Sequence, residues 1–234
     1  MQTLIRSWKV KLVGEGADDA GGVFDDTITE MCRELVDPER GQNLLVPTPN
    51  GFSETGFNRD KYMPNPGKDS LADLKHYWFV GVLLGIAIRT RKPISLNLAP
   101  MFWRMLLHRE VDHRDLEAVD LNYARSIRAM SDLKRSSNAS DFFEGVSLGG
   151  GVARLFPGGH SVALSESNRA LFADLALRQR LRELEPQVRA VREGMAAMVP
   201  VPVLFLMPLE AVERLVCGSP SVPIDALKRV ARYR

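Results

Sequence analysis

The sequence predicts an α+β fold that is mostly helical. Several segments repeat apolar residues at intervals of three or four, which is typical of a helix with one buried face. Short apolar segments bounded by glycine or proline predict a few strands between the helices. The chain has 234 residues, of which 45% are hydrophobic, and this suits one good-sized domain or two small subdomains that share a core.

The N-terminal part predicts a strand, a glycine-rich turn and a helix. Residues Trp8 to Val13 alternate apolar and basic side chains, as a half-buried strand does. The turn GEGADDAGG follows, and the next segment, VFDDTITEMCRELV, has helical spacing. Asp25 and Asp26 lie near the start of this helix, where carboxylates favour the positive end of its dipole. The apolar face of the helix consists of Ile28, Met31, Cys32 and Leu35.

A long helix is predicted from Leu71 to Thr90, after a loop or irregular hairpin at 47–67 that is rich in proline, glycine and asparagine. Gly81 and Gly85 are four residues apart and lie on one face, so we expect close contact with another backbone there. The apolar run at 77–88 has 12 residues, whereas a membrane-spanning helix needs about 20. We therefore predict a buried helix at this point and no membrane span.

Another helix is predicted from Pro100, because proline fits the first position of a helix. Helical spacing continues over DHRDLEAVDLNYARSIRAMSDL, where one apolar stripe consists of Tyr123, Ile127, Met130 and Leu133. Such a stripe ordinarily packs in a core. In a small subdomain part of it stays exposed and forms a groove.

The last third predicts short strands and then helices. Glycine-rich turns separate short apolar segments over 145–165. A long helix is expected to begin near Ser165 and Asn168, which are good capping residues, and Pro186 is expected to bend or split it. Two small helices are predicted near 208–216 and 224–234.

The charge of the chain does not indicate a nucleic-acid partner. The net charge is +2, from 31 basic and 29 acidic residues, so no strong polyanion-binding field is expected. The arginines of RQRLRELEPQVRAVRE alternate with glutamates, which predicts a solvated helix face with ion pairs. An RNA-binding helical protein is the weakest alternative that this segment leaves open.

Cofactor and metal chemistry find no support in the sequence, and we expect neither. The turn GEGADDAGG lacks a Gly-Lys-Ser/Thr element, and its acidic residues would repel phosphate. His108 and His113 are five residues apart, not the four of a zinc-binding helix. The two cysteines, Cys32 and Cys217, predict reduced thiols and a cytoplasmic or nuclear protein, and the N-terminal residues show no signal-peptide pattern.

Cys217 is the more conspicuous candidate for a reactive residue, since it lies between an apolar run and the turn GSPSVP. It ends a short predicted helix, and Gly218 is a natural residue to stop that helix. No histidine or basic residue lies beside it in the sequence to lower the pKa of its thiol. We therefore interpret both cysteines as packing residues and predict no catalytic residue.

Six motifs in collinear order resemble the HECT domain of ubiquitin ligases, over essentially the whole chain. They are WKVKLVGEGADDAGGVFDD, VGVLLGIAIRTRKPISLNLAPMFWRMLL, DLEAVD, FPGGHSVALSESNR, VRAVREGMAAMVPVPVL and LEAVERLVCGSPSVPIDALKRVARYR. The segments VREGM and PVPVL are most similar to the large HERC-type members.

The resemblance implies an N-lobe that docks a ubiquitin-conjugating enzyme. In this family a C-lobe carries the cysteine that accepts ubiquitin as a thioester, with a threonine before it and a phenylalanine after it. Neither Cys32 nor Cys217 has that context, so we expect the C-lobe to be absent from this chain and the chain alone to be catalytically incomplete. The resemblance divides the N-lobe into a large helical subdomain at 1–97 and 166–234 and a small α/β subdomain at 98–165.

By position, the family's apolar docking groove maps onto seven residues of this chain. They are Tyr123, Ile127, Met130, Leu133, Phe142, Phe143 and Phe172. The resemblance thus implies a conjugating enzyme and its ubiquitin as partners, with protein substrates recruited by regions outside this chain. The alternative is a non-catalytic module that binds or competes for conjugating enzymes.

Overall fold

The computed structural model describes residues 22–39, 41–132, 144–148, 151–219 and 224–230. Within them the chain is helical, with two short sheets, so the predicted mostly helical α+β fold is confirmed. The strand predicted at Trp8 to Val13 lies outside the described residues.

Among the described residues, helices alternate with short strands up to residue 154, and helices alone follow. In chain order the elements are α1 (Gly22–Val36), β1 (Leu45–Pro47), α2 (Pro49–Phe52), β2 (Tyr62–Pro64), α3 (Leu71–Thr90), α4 (Pro100–Leu106), α5 (His113–Glu117), α6 (Leu121–Asp132), β3 (Glu144–Val146), β4 (Val152–Arg154), α7 (Arg169–Arg182), α8 (Glu185–Ala196), α9 (Val201–Leu204), α10 (Leu209–Cys217) and α11 (Ile224–Val230).

Helices α3 and α8 cross at the centre of the protein with their backbones in contact. A Cβ atom added to Gly81 would lie 1.9 Å from the carbonyl oxygen of Val191, and one added to Gly194 would lie 1.8 Å from that of Trp78. A Cβ at Gly85 would lie 2.5 Å from the Cβ of Met198. The close contact predicted from the spacing of the two α3 glycines is therefore confirmed.

Helix α3 is the core helix of the protein. It has the predicted bounds, because Ser70 caps its first turn by accepting from Asp73 N and Arg91 ends it in the left-handed conformation. Its 20 residues are long and apolar enough to cross a membrane by length and composition alone, but half of the apolar window is buried inside the protein. The predicted buried helix is confirmed, and the apolar run of 12 residues lies within this helix of 20.

The segment at 47–67 forms the predicted irregular hairpin. Strands β1 and β2 pair antiparallel, with Val46 opposite Met63, and enclose α2. Asn50 is fully buried inside the hairpin. Its amide nitrogen donates to the carbonyls of Phe57 and Glu117, and its amide oxygen accepts from Leu121 N. One side chain thus fastens the hairpin to both ends of the turn between α5 and α6.

The other predicted helices and strands are present where the structure describes them, although Asn168 at the N-cap of α7 makes no side-chain capping hydrogen bond. Helix α4 begins at Pro100, and the predicted long helix is split into α7 and α8 with Pro186 in the first turn of α8. Strands β3 and β4 form an antiparallel pair in the glycine-rich segment. Helix α4 packs in the main core, where Trp103 is fully buried, and the division into subdomains at 98 and 165 stays a prediction.

Candidate docking site

Helices α6 and α7 pack against each other around a second apolar cluster, separate from the main core. Its buried members are Ile127, Phe172, Ala173 and Ala176. Tyr123, Met130, Leu155, Phe156, Leu164 and Leu175 surround them and stay partly exposed. We call this group of residues the α6–α7 cluster.

The α6–α7 cluster brings together four of the residues that the sequence predicts to bind a partner. Tyr123, Ile127 and Met130 come from α6, and Phe172 comes from α7. Leu133, Phe142 and Phe143 lie outside the described residues. The predicted set is thus gathered in one place as far as the structure describes it, and its role in docking stays a prediction.

Burial differs among these side chains and decides which of them a partner can touch. Phe172 is 5% exposed and Ile127 is 9% exposed, so both serve mainly to join the two helices. Tyr123 and Met130 are half-buried at the edge of the cluster. Leu171, one turn before Leu175 on α7, is 54% exposed and is not a member of the cluster.

A buried ionic network lies next to Tyr123 of the α6–α7 cluster. The Arg180 guanidinium lies 3.2 Å from an Asp120 carboxylate oxygen and 3.5 Å from one of Glu183, and all three side chains are at most 10% exposed. The guanidinium carbon also lies 3.9 Å from the centroid of the Tyr123 ring, a cation–π geometry. Through these contacts Arg180 links α7 to the start of α6.

Glu183 extends this network to the β3–β4 hairpin. Its carboxylate accepts from Leu148 N at 2.9 and 3.0 Å and from the Ser147 hydroxyl.

Burial raises the pKa of the Asp120 carboxyl, against the opposing effect of Arg180, and burial likewise raises the pKa of the Tyr123 phenol. A buried charge that loses its partner is costly, so the network fixes how α6, α7 and the hairpin sit together.

The burial of Arg180 corrects one sequence prediction. The arginines of RQRLRELEPQVRAVRE were expected on a solvated face, and Arg178, Arg182 and Arg189 do lie there in exposed pairs with Asp174, Glu185 and Glu193. Arg192 is half-buried and donates to the carbonyls of Leu106 and Met105. Arg180 instead points into the protein, because Phe172, Ala176 and Arg180 are successively four apart and share the buried face of α7. That spacing was a usable signal in the sequence.

The two cysteines are protected thiols. Cys32 is buried in the main core, and its burial raises the pKa of the thiol to about 11. Burial raises the pKa of Cys217 to about 12, helped by the charge of Glu213, and its Sγ donates to the Leu96 carbonyl at 3.2 Å. Gly218 follows with a φ of 80° and ends α10, as predicted. Because the nucleophile is the thiolate, neither residue suits nucleophilic chemistry near neutral pH.

Metal chemistry finds no site in the part of the chain that the structure describes. No group of three or more His, Cys, Asp and Glu side chains is positioned there to hold an ion. His108, one of the candidates considered from the sequence, packs edge-on against the Phe205 ring at 5.2 Å between centroids.

Comparison with known proteins identifies the family of this chain. A sequence model described as HECT-domain (ubiquitin-transferase) matches residues 29–234. The chain is 42% identical, over 98% of its length, to the E3 ubiquitin-protein ligase HERC2 of mouse and of human. It is 23% identical, over 98% of its length, to the human E3 ubiquitin-protein ligase NEDD4.

The chain is much shorter than these relatives. It spans 5% of the length of each HERC2 protein and 17% of the length of NEDD4. The match to the family nevertheless covers most of this chain and confirms the resemblance that the six motifs indicated. The chain belongs to the HECT-domain family of ubiquitin transferases.

Proposed function

We propose that this chain is the part of a HECT-type ubiquitin-protein ligase that docks a ubiquitin-conjugating enzyme, through the α6–α7 cluster. The observation that carries the proposal is the cluster itself. Half-buried apolar side chains at its edge, Tyr123 and Met130, rest on the buried pair Ile127 and Phe172. A few apolar anchors on a rigid base supply most of the affinity of such an interface.

The ionic network around Arg180 also supports the proposal. It fixes α6 relative to α7 and the β3–β4 hairpin, so the edge of the cluster is held in place before a partner arrives. A surface that is rigid in the free protein loses less conformational entropy on binding. Arg180, Asp120 and Glu183 are therefore positioning residues, whereas Met130 and Tyr123 would touch the partner.

In the complete ligase the chemistry would consist of two transfers. A cysteine thiolate attacks the carbonyl carbon of the thioester between ubiquitin and the conjugating enzyme, and the enzyme's thiolate leaves. A substrate lysine amine then attacks the new thioester, loses its proton and displaces the cysteine thiolate. This chain contributes by holding the donor thioester near the acceptor, which raises its effective concentration.

The alternative, a module that binds conjugating enzymes without transferring ubiquitin, draws on one observation. Burial raises the pKa of both thiols above the ordinary value of 9.0, to about 11 for Cys32 and about 12 for Cys217. This chain is therefore not expected to accept ubiquitin by itself. The two proposals share the docking step and differ in whether a reactive cysteine acts with this chain. With free thiols at Cys32 and Cys217, we also propose a reducing compartment, the cytoplasm or the nucleus.

The test is binding of ubiquitin-conjugating enzymes to the chain and to Met130→Asp. A charge placed at the edge of the cluster should weaken binding at least about tenfold, because it would be desolvated in the interface. Leu206→Asp is the matched control, since Leu206 is 86% exposed and lies outside the cluster. Equal binding by both folded variants would refute the docking site.

A second measurement separates the proposed transfer from binding. Incubation with a ubiquitin-charged conjugating enzyme should produce no reducible ubiquitin adduct on this chain. An adduct that is lost in Cys217→Ala would show that the chain itself carries a reactive cysteine, and would overturn the assignment of Cys217 as a packing residue.

A further inference from the structure

A cavity of about 550 Å³ lies between the turn after α4 and the junction of α7 with α8. Its apolar lining consists of the half-buried Val111 and Pro186 and of three buried side chains, Met105, Leu181 and Val188. None of the described α6–α7 cluster residues lines it. The volume falls in the range of ligand-binding clefts, and the docking proposed above leaves this cavity without a role.

Four arginines line this cavity, against two glutamates. The arginines are Arg109, Arg182, Arg189 and Arg192, and the glutamates are Glu110 and Glu185. For a chain whose net charge is only +2, this is a local concentration of positive charge. We call the cavity with these side chains the basic pocket.

Two of the arginines are fixed in place without being neutralised. Arg109 Nη2 donates to the Phe205 carbonyl at 2.7 Å, and Arg192 Nε donates to the Leu106 carbonyl at 2.9 Å. Arg192 Nη2 also donates to the Met105 carbonyl at 2.5 Å. Neutral carbonyls orient a guanidinium but leave its charge uncompensated. In the described ranges, neither arginine has a carboxylate within 4.0 Å.

The other two arginines form the solvated rim of the basic pocket. Arg182 lies 3.9 Å from Glu185, and Arg189 lies 4.0 Å from Glu193, with all four side chains more than 60% exposed. Exposed pairs of this length contribute little stability, so a ligand carboxylate can replace the glutamates at small cost. Arg182 and Arg189 can therefore bind an anionic ligand in place of their glutamate partners.

His108 also lines the basic pocket. Burial lowers the pKa of His108, and the charge of Arg192 lowers it further. The histidine thus responds to the same positive potential that a ligand would meet.

We propose that the basic pocket binds a short acidic peptide segment, with carboxylates on the arginines and one aliphatic side chain on the apolar lining. The four arginines come from the turn after α4, the end of α7 and helix α8, so their charges are distributed along the pocket and suit several carboxylates of one chain rather than a single anion. The half-buried apolar side chains of Val111 and Pro186 distinguish this site from one for a compact phosphate, which would leave them uncovered.

The probe is a short fluorescein-labelled peptide in which glutamates flank a central leucine, measured by anisotropy with the whole chain. A peptide with glutamines in place of the glutamates is its uncharged counterpart. The acidic peptide should bind, its affinity should fall as salt rises, and the uncharged one should bind at least about tenfold more weakly. Absence of binding by the acidic peptide, or equal binding of the two, would overturn the proposal.

Matched charge reversals locate the binding. The double variant R182E/R189E should weaken binding of the acidic peptide by about tenfold or more, because it reverses both rim charges. The control R33E/R178E makes the same change in net charge at exposed arginines outside the pocket and should have little effect. Glu110→Gln removes a repulsive charge from the lining and should tighten binding. Equal weakening by the two double variants would show non-specific attraction and overturn the site.

Discussion

The guanidinium of Arg180 lies 3.9 Å from the centroid of the Tyr123 ring while it pairs with Asp120 at 3.2 Å. One side chain of α7 therefore contacts both a carboxylate at the start of α6 and an aromatic ring one turn later. This relationship connects the buried structure of the protein to its proposed docking site, because Tyr123 is both a neighbour of Arg180 and an edge residue of the α6–α7 cluster.

Replacing Arg180 by methionine should destabilise the protein by about 3–5 kcal/mol, because Asp120 and Glu183 would then be buried without their cation. The measurement is the free energy of unfolding in urea. Arg178→Met is the control, since Arg178 lies on the exposed face of the same helix and its pair with Asp174 is solvated. Similar losses in the two variants would show that the network contributes nothing particular to stability.

Gly81→Ala should destabilise the protein by about 1–3 kcal/mol or more, because the new methyl group overlaps the backbone carbonyl of Val191 and forces α3 and α8 apart. Thermal unfolding measures the loss. Gly151→Ala is the control, because a Cβ at Gly151 meets nothing within 4 Å. If Gly81→Ala were as stable as the parent protein, this result would contradict the close backbone contact between α3 and α8.

Asn50→Ala should cost about 1–3 kcal/mol, because the carbonyl of Glu117 and the N–H of Leu121 lose a buried partner. It should also weaken binding of a conjugating enzyme, since Asn50 holds the first residue of α6. Asn97→Ala, which removes exposed bonds to Asp60, is the control and should leave that binding unchanged. A variant with full stability and full binding would show that Asn50 does not position α6.

The two thiols should be slow to alkylate in the native protein near pH 8, because burial raises the pKa of Cys32 to about 11 and that of Cys217 to about 12. Labelling with iodoacetamide, followed by peptide mass mapping, measures each cysteine separately. The chain unfolded in urea is the control and should label fast. Native labelling of Cys217 as rapid as in the unfolded chain would contradict its protected position.

The same pKa shifts predict how stability depends on pH. Since the folded-state pKa of each thiol lies above the ordinary value of 9.0, the unfolded chain loses its protons first as pH rises. The contribution of the neutral thiols is complete below about pH 9 and is lost between pH 9 and about 12. Urea unfolding across this window should show falling stability, and a flat profile would contradict the shifts.

The sequence could predict those features that depend on neighbours along the chain. The spacing of Gly81 and Gly85 predicted a close helix contact, Pro100 predicted where α4 begins, and Pro186 predicted the division between α7 and α8. Each is a local consequence of backbone geometry. The family resemblance, which six ordered motifs carried, predicted which apolar residues of α6 and α7 meet.

The polar supports of the candidate site could not be predicted from local patterns. Asn50 reaches Glu117 and Leu121, which are 67 and 71 residues away along the chain, so no local pattern marks it as buried. Arg180 was predicted to be solvated like its neighbours, although its spacing from Phe172 and Ala176 placed it on the buried face. Which polar side chains become buried depends on long-range packing, and spacing alone gives only part of it.

Hydrogen exchange of the chain with and without a ubiquitin-conjugating enzyme tests the central claim most directly. We predict that the enzyme slows amide exchange in α6 and in the first turns of α7, and that Met130→Asp abolishes this protection. We also predict unchanged exchange in α10, which carries Cys217. Protection confined to α10 or to α3, with none in α6 and α7, would contradict the proposed docking site.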